Sequence, residues 1–117
     1  MKIFLAGHKG LVGSAVLRKL RKKNYSKIIT VEKKKLNLLN QSAVLSFVSK
    51  KKPDIVIIAA ARVGGVYHNQ EHGADFIYEN LQIQNNLIHA SFINKVKKII
   101  FLGSSCIYPK NSKQPIK

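Results

Sequence analysis

The sequence predicts an α/β fold built on a parallel, doubly wound sheet. Three observations lead there. Short apolar runs alternate with longer segments of helical periodicity along the chain. One run, Ile55-Val56-Ile57-Ile58-Ala59-Ala60, is continuously apolar, as a strand buried on both faces requires. The first run, Ile3-Phe4-Leu5-Ala6, leads directly into Gly7-His8-Lys9-Gly10-Leu11-Val12-Gly13, a tight glycine turn between a strand and a helix.

The elements follow in order. Lys2–Ala6 reads as the first strand. Residues 11–23 read as the first helix, with Val12, Ala15, Val16 and Leu20 on its apolar face and Arg18, Lys19, Lys22 and Lys23 outside. The second strand covers 27–31. Asn40-Gln41-Ser42 starts a second helix whose apolar face holds Val44, Leu45, Phe47 and Val48, and Pro53-Asp54 ends it. Residues 55–60 form the third strand and 62–73 a polar loop containing glycine. A long helix over 74–94 buries Ile77, Leu81, Leu87 and Ile88 and turns Gln82, Gln84 and Asn85 outward. Residues 98–103 are the fourth strand, and 104–117 carry two prolines and no periodicity. With right-handed crossovers the expected spatial order of the strands is 3-2-1-4. The fourth strand would then pair with the first and leave an apolar edge, a hazard for association. The chain is therefore expected to be the N-terminal part of a longer protein.

Composition narrows the class. At 117 residues the chain is one domain with a modest core. No apolar run approaches the roughly 20 residues that span a bilayer. Met1-Lys2 leads straight into a strand, without the apolar region of a secretory signal. The single cysteine, Cys106, excludes an internal disulfide and fits a reducing cytoplasm. The formal net charge of +16 suggests a polyanionic partner such as nucleic acid. The excess is nearly all lysine, however, placed at helix ends and in loops where charge is readily solvated. No aromatic side chains are interleaved with it to stack on bases. Neither a specific nucleic acid nor a membrane is expected as a partner, and no metal site is expected.

The chemistry should sit at the C-terminal ends of the strands, where strand order reverses. On the expected order that point lies between the first and fourth strands, bringing residues 7–13 beside Gly103-Ser104-Ser105-Cys106-Ile107-Tyr108. A G-x-x-G-x-x-G turn opening a helix can cradle a dinucleotide pyrophosphate, because glycines admit the backbone closely and the helix N-terminus offers unpaired N–H groups. It can equally be a plain strand-to-helix turn. Gly7, Lys9, Gly10, Leu11, Val12 and Gly13 are the candidate cofactor-binding residues of this turn. Ala59, Ala60 and Ala61 let a cofactor lie flat across the strand ends, or simply pack a helix on a sheet. Glu32 stands where an acidic residue would hold a ribose 2′-hydroxyl of NAD. Lys9, Lys33 and Lys34 could instead pair with the 2′-phosphate of NADP, and NADP(H) is the preferred reading, with NAD(H) open.

These residues resemble those of the extended short-chain dehydrogenase/reductases acting on nucleotide sugars, and within them the GDP-L-fucose synthase family. The matching pieces are residues 6–15, Leu36-Asn37-Leu38-Leu39, Ala59-Ala60-Ala61-Arg62-Val63-Gly64-Gly65, residues 74–80 and residues 101–110, in order along the chain. The resemblance implies a Rossmann-like domain, of which residues 1–117 are the N-terminal part, and a homodimer for the full-length enzyme. It implies NADPH-dependent 3,5-epimerisation and 4-reduction of a GDP-4-keto-6-deoxy-D-mannose substrate to GDP-L-fucose. Cys106 matches the epimerisation cysteine, a thiol of pKa near ~8.5 that nearby donors can tune for proton exchange. Ser104 matches the serine that hydrogen-bonds the keto oxygen. Ser105, Val63 and Gly64 match residues near the sugar, Lys9 falls where the family usually has arginine near the adenosine phosphate, and Asn80 matches an asparagine on the long helix. Read without the resemblance, Cys106 is a small buried hydrophobe. The Tyr-x-x-x-Lys proton relay expected on the next helix is not within these residues, since Tyr108 is followed four residues later by Ser112. The chain alone is expected to be inactive. Two alternatives remain: another NAD(P)-dependent nucleotide-sugar epimerase or dehydratase, and a basic nucleic-acid-binding module.

Overall fold

The computed structural model describes residues 1–25, 27–60 and 66–102, the stretch 66–76 by its backbone alone. Its elements are β1 (Lys2–Ala6), α1 (Leu11–Lys22), β2 (Lys27–Ile29), α2 (Gln41–Lys51), β3 (Ile55–Ile58), α3 (Val66–Ile93) and β4 (Lys98–Phe101). All strand pairings are parallel, as expected for strands joined by helical crossovers.

Side-chain alternation builds a core on each face of the sheet. Ile3 and Leu5 of β1 join Ile57 of β3 against Leu17 of α1. Phe4, Ala6, Val56 and Ile58 point the other way, onto Val44 and Val48 of α2 and Ile83, Leu87 and Ala90 of α3. α1 thus covers one face, and α2 and α3 pack side by side on the other.

The strand order is β2-β1-β3-β4, which corrects the expected 3-2-1-4. β3 pairs with β1 on the side away from β2, in the register Ile3–Ile55 to Ala6–Ile58. Burial explains the choice. β2 has three residues, none of them buried, as suits a short edge strand. The apolar Ile55-Val56-Ile57-Ile58 requires neighbours on both sides and takes the central position between β1 and β4. Since α2 lies on the opposite face from α1, right-handed crossovers also require the chain to reverse direction after β2. The reversal therefore falls between β1 and β3, not between the first and fourth strands.

β4 is paired to β3 alone among the described strands, and its Phe101 is 43% exposed. Among the described residues β4 is an edge strand, as expected, but its inner neighbour is β3. At the start of the sheet, Asp54 ties three strands together. Its Oδ2 accepts the backbone N–H of Lys2 at 2.9 Å, its own N–H donates to the Lys2 carbonyl at 2.8 Å, and its carbonyl accepts the N–H groups of Lys97 and Lys98 at 3.0 and 3.2 Å. The Lys2 N–H holds the Asp54 carboxyl below its ordinary pKa; slight burial opposes this, and Lys97, the N-terminus and the Lys2 ammonium support it.

Three other expectations change. The loop expected at 62–73 is helical from Val66 onward: α3 runs through Gly73, whose helical cost of ~1 kcal/mol is small within a 28-residue helix. On α3 only Leu87 of the four expected core residues is buried, while Ile77, Leu81 and Ile88 are exposed. The buried row is Ile83, Asn86, Leu87, Ala90 and Ser91, because α3 is apolar on two sides and α2 selects one of them. Gln82 and Gln84 are accordingly half-buried, and only Asn85 is exposed as expected. On α1, Gly13 and Leu17 are buried and Val16 and Leu20 partly so, whereas Val12 and Ala15 face solvent. No helix among the described residues is long and apolar enough to cross a membrane.

Candidate functional site

β1 delivers the chain to Gly7 at its C-terminal end, next to the end of β3 where strand order reverses. Two of the three glycines of the turn admit no side chain. Gly7 has φ +90°, and a β-carbon there would lie 2.6 Å from the backbone N and Cα of Ala60. Gly10 is the N-cap of α1, and its N–H donates to the Gly7 carbonyl at 3.2 Å. Gly13 is buried, and a β-carbon on it would overlap that same Gly7 carbonyl. The outcome is a closed turn that presses the first turn of α1 against the ends of β1 and β3.

The N-terminus of α1 is built differently from that of α2. Asn40 caps α2 through Oδ1, which accepts the Ala43 N–H at 3.0 Å. α1 has no side-chain cap and no acidic residue in its first turn. Its leading N–H groups and positive dipole end are thereby left for an anion. Leu11 is 90% exposed and Val12 half-exposed at this opening. A turn that admits no β-carbon at Gly7 or Gly13, followed by an uncapped helix, fits a dinucleotide pyrophosphate.

The end of β2 forms the neighbouring wall. Lys9 Nζ meets Glu32 Oε1 at 3.2 Å, an ion pair with side chains 69% and 52% exposed. Lys33 and Lys34 follow in solvent, and the Glu32 carbonyl accepts the N–H groups of Lys35 and Leu36 to turn the chain. Leu36 is buried, and Asn37 Oδ1 accepts the Leu39 N–H at 3.0 Å. Asn86 on α3 is buried and donates from Nδ2 to the Leu38 carbonyl at 2.8 Å, while its Oδ1 accepts from Gln82 at 3.2 Å. Sequence reasoning missed Asn86. Its signal was a lone asparagine within the apolar row Ile83, Leu87 and Ala90.

The structure thus brings together Gly7, Lys9, Gly10, Leu11, Val12, Gly13, Ala59 and Ala60. The Ala59 N–H donates to the Ala6 carbonyl at 2.9 Å, which fixes the Ala59-Ala60 backbone under Gly7. Lys33 lies one residue beyond the ion-paired Glu32. Asn80 is half-buried on α3. Ala61, Val63, Gly64, Ser104, Ser105 and Cys106 lie outside the described residues. Residues 103–108, expected beside the glycine turn, lie outside the described residues; β4, which precedes them, neighbours β3 and not β1.

The model of the NAD dependent epimerase/dehydratase family matches residues 3–117. The chain belongs to this family. Within the family it is 53% identical over 115 residues to GDP-L-fucose synthase 1 of Arabidopsis thaliana, covering 98% of this chain and 36% of that protein. It is 47% identical to GDP-L-fucose synthase of Escherichia coli, over 98% of this chain and 36% of that protein. Among solved structures, a GDP-mannoheptose C4 reductase from Campylobacter jejuni with NADP bound matches with a TM-score of 0.88 and 45% identity, over 99% of this chain and 37% of that one. The chain spans about a third of the length of the relatives it matches.

Proposed function

We propose that this chain supplies the cofactor-binding part of an NADPH-dependent enzyme that epimerises C3 and C5 and reduces C4 of GDP-4-keto-6-deoxy-D-mannose, giving GDP-L-fucose. The observation that carries the reading is the glycine cradle, set in a chain about half identical to two GDP-L-fucose synthases. In this reading the N–H groups of the first turn of α1 bind the pyrophosphate, and Lys9 and Lys33 bind the adenosine phosphate. Ala59, Ala60 and Ala61 give the cofactor a flat seat. When bound, NADPH would supply the hydride for C4.

The remaining steps follow the likeness to the GDP-L-fucose synthases, and the residue chemistry suits them. A 4-keto group acidifies the protons at C3 and C5. Cys106 removes such a proton as the thiolate, or returns one as the thiol. The Ser104 hydroxyl donates to the keto oxygen and stabilises the negative charge that develops there. Ser105, Val63 and Gly64 shape the sugar pocket. The full-length enzyme is a homodimer in this reading. A second reading, a C4 reductase of a GDP-linked heptose, is supported by the likeness to the Campylobacter jejuni reductase.

A chimaera decides between them. Residues 1–117 are joined to the remaining two thirds of the Arabidopsis thaliana GDP-L-fucose synthase 1 and offered GDP-4-keto-6-deoxymannose with NADPH in deuterated water. GDP-L-fucose with deuterium at C3 and C5 supports the proposal. Cys106→Ser should abolish that exchange and leave NADPH binding intact. A chimaera that binds NADPH and reduces C4 without taking up deuterium at C3 and C5 favours the second reading. Undiminished exchange in Cys106→Ser removes the thiol from the chemistry.

A further inference from the structure

The helix-to-strand turns among the described residues all stand at one end of the sheet, opposite the glycine cradle. The fold dictates this, since every pairing is parallel and each helix returns the chain to a strand start. Each turn is flanked by exposed lysines. Lys22, Lys23 and Lys27 surround the turn from α1 to β2. Lys50, Lys51 and Lys52 lead into β3, and Lys95, Lys97 and Lys98 lead into β4. Lys2 opens β1 in register with Lys27. Asp54 is the one carboxylate among the described residues at this end, and it accepts the Lys2 backbone N–H. The other acidic residues lie elsewhere: Glu32 past the far end of β2, and Glu71, Asp75 and Glu79 in the first half of α3, which starts on the cradle side. Scattered along the sequence, these lysines point to no partner; gathered by the fold, they form a surface. Favourable placement at a helix C-terminus accounts for Lys22, Lys50 and Lys51. It does not account for Lys2, Lys27 and Lys98 at strand starts. Lys52 and Lys95 also adopt φ +50° and +56°, the left-handed region where glycine is the usual residue after a helix. The chain thus carries two of these charges at a steric cost.

We propose that this end of the sheet is a docking surface for an anionic phospholipid bilayer, with the cradle facing away from the membrane. The cations here are lysines, point charges on flexible stems that suit a field of headgroups and not a paired grip on one phosphate. Met1 and Tyr25 stand exposed among them. Such side chains settle into a bilayer interface, whereas the sugar-phosphate backbone of a nucleic acid offers them nothing apolar. The inference does not depend on which cofactor or sugar the cradle end serves.

The test is co-sedimentation of the 117-residue chain with vesicles of phosphatidylcholine, alone or with about one third phosphatidylserine, at about 0.1 M salt. The chain should bind the anionic vesicles and not the neutral ones, and salt of about 1 M should release it. One lysine near an anionic leaflet is worth about fivefold in affinity, so Lys52→Gly with Lys95→Gly should weaken binding about 25-fold. The same two changes suit the left-handed backbone and should hold or raise Tm, which separates lost binding from lost folding. Lys34→Gln with Lys35→Gln removes equal charge from the cradle end and should cost less than about threefold, because those residues stand beyond the screening distance of the bilayer. Equal losses in the two double variants would reduce the effect to net charge and overturn the proposal. A chain that ignores anionic vesicles overturns it as well. So does tighter binding to a DNA duplex of equal phosphate concentration that is lost in Lys52→Gly with Lys95→Gly, which would assign this end to nucleic acid.

Discussion

Gly13 faces the carbonyl of Gly7 so closely that a single methyl group on Gly13 would overlap it. The first turn of α1 can therefore lie on the end of β1 only if Gly13 lacks a side chain. Gly13→Ala should force the helix off the strand, at a cost of about 1–3 kcal/mol or more, and abolish NADPH binding. Gly7→Ala adds the strain of φ +90° and a contact at 2.6 Å with Ala60, and should behave similarly. Gly10→Ala is the control: its β-carbon would find the Gly7 carbonyl at an ordinary 3.6 Å. It should fold, with a Tm within a few degrees of wild type. Thermal melts and NADPH fluorescence on the three variants separate these outcomes.

Asn86 anchors the segment after β2 to α3 through its 2.8 Å bond to the Leu38 carbonyl. Asn86→Ala should leave that carbonyl without its partner and destabilise the chain by about 1–3 kcal/mol. Amide exchange should rise in residues 36–40 and stay unchanged in the glycine turn. Uniform loss of protection would show that Asn86 supports the whole domain and not this segment in particular.

Asp54 makes stability depend on pH. Its folded pKa is lowered, first by the Lys2 N–H, so its contribution is fully present above the unfolded value near 3.8 and disappears as pH falls through the lower folded value. Asp54→Asn should reduce Tm at pH 7, and the difference from wild type should shrink below pH ~4. A gap that persists at pH 2 would assign the effect to lost geometry instead of charge.

Asn40 caps α2, which packs on the face opposite the cradle helix. Asn40→Ala should cost about 1 kcal/mol. NADPH affinity should not change, since α2 contributes no residue to the glycine turn. Urea denaturation gives the first quantity and fluorescence titration the second.

Much of this organisation was legible in the sequence. β1 and the three-glycine turn follow from local patterns, an apolar run and residues demanding unusual backbone, and they stand where expected. The start of α2 at Asn40 follows from capping chemistry. Strand order was not legible in the same way, because it depends on which apolar strand competes best for the centre of the sheet. The three-residue β2 loses that competition to β3. The buried side of α3 was hidden because Ile77, Leu81, Ile83, Leu87 and Ile88 offer two apolar stripes, and only packing against α2 chooses between them. The Lys9–Glu32 pair joins residues 23 positions apart and follows from the placement of β2 beside β1.

The cradle itself is tested most directly by titrating the 15N-labelled chain with NADPH and following amide resonances. Saturable shifts confined to the first turn of α1, the glycine turn and Ala59-Ala60 are expected. Resonances of the α2 cap at Asn40 to Ala43 should stay still. A folded chain in which the amides of Gly10 to Gly13 do not move at millimolar NADPH, or in which the shifts gather at the opposite end of the strands, would contradict the assignment of this turn as the cofactor site.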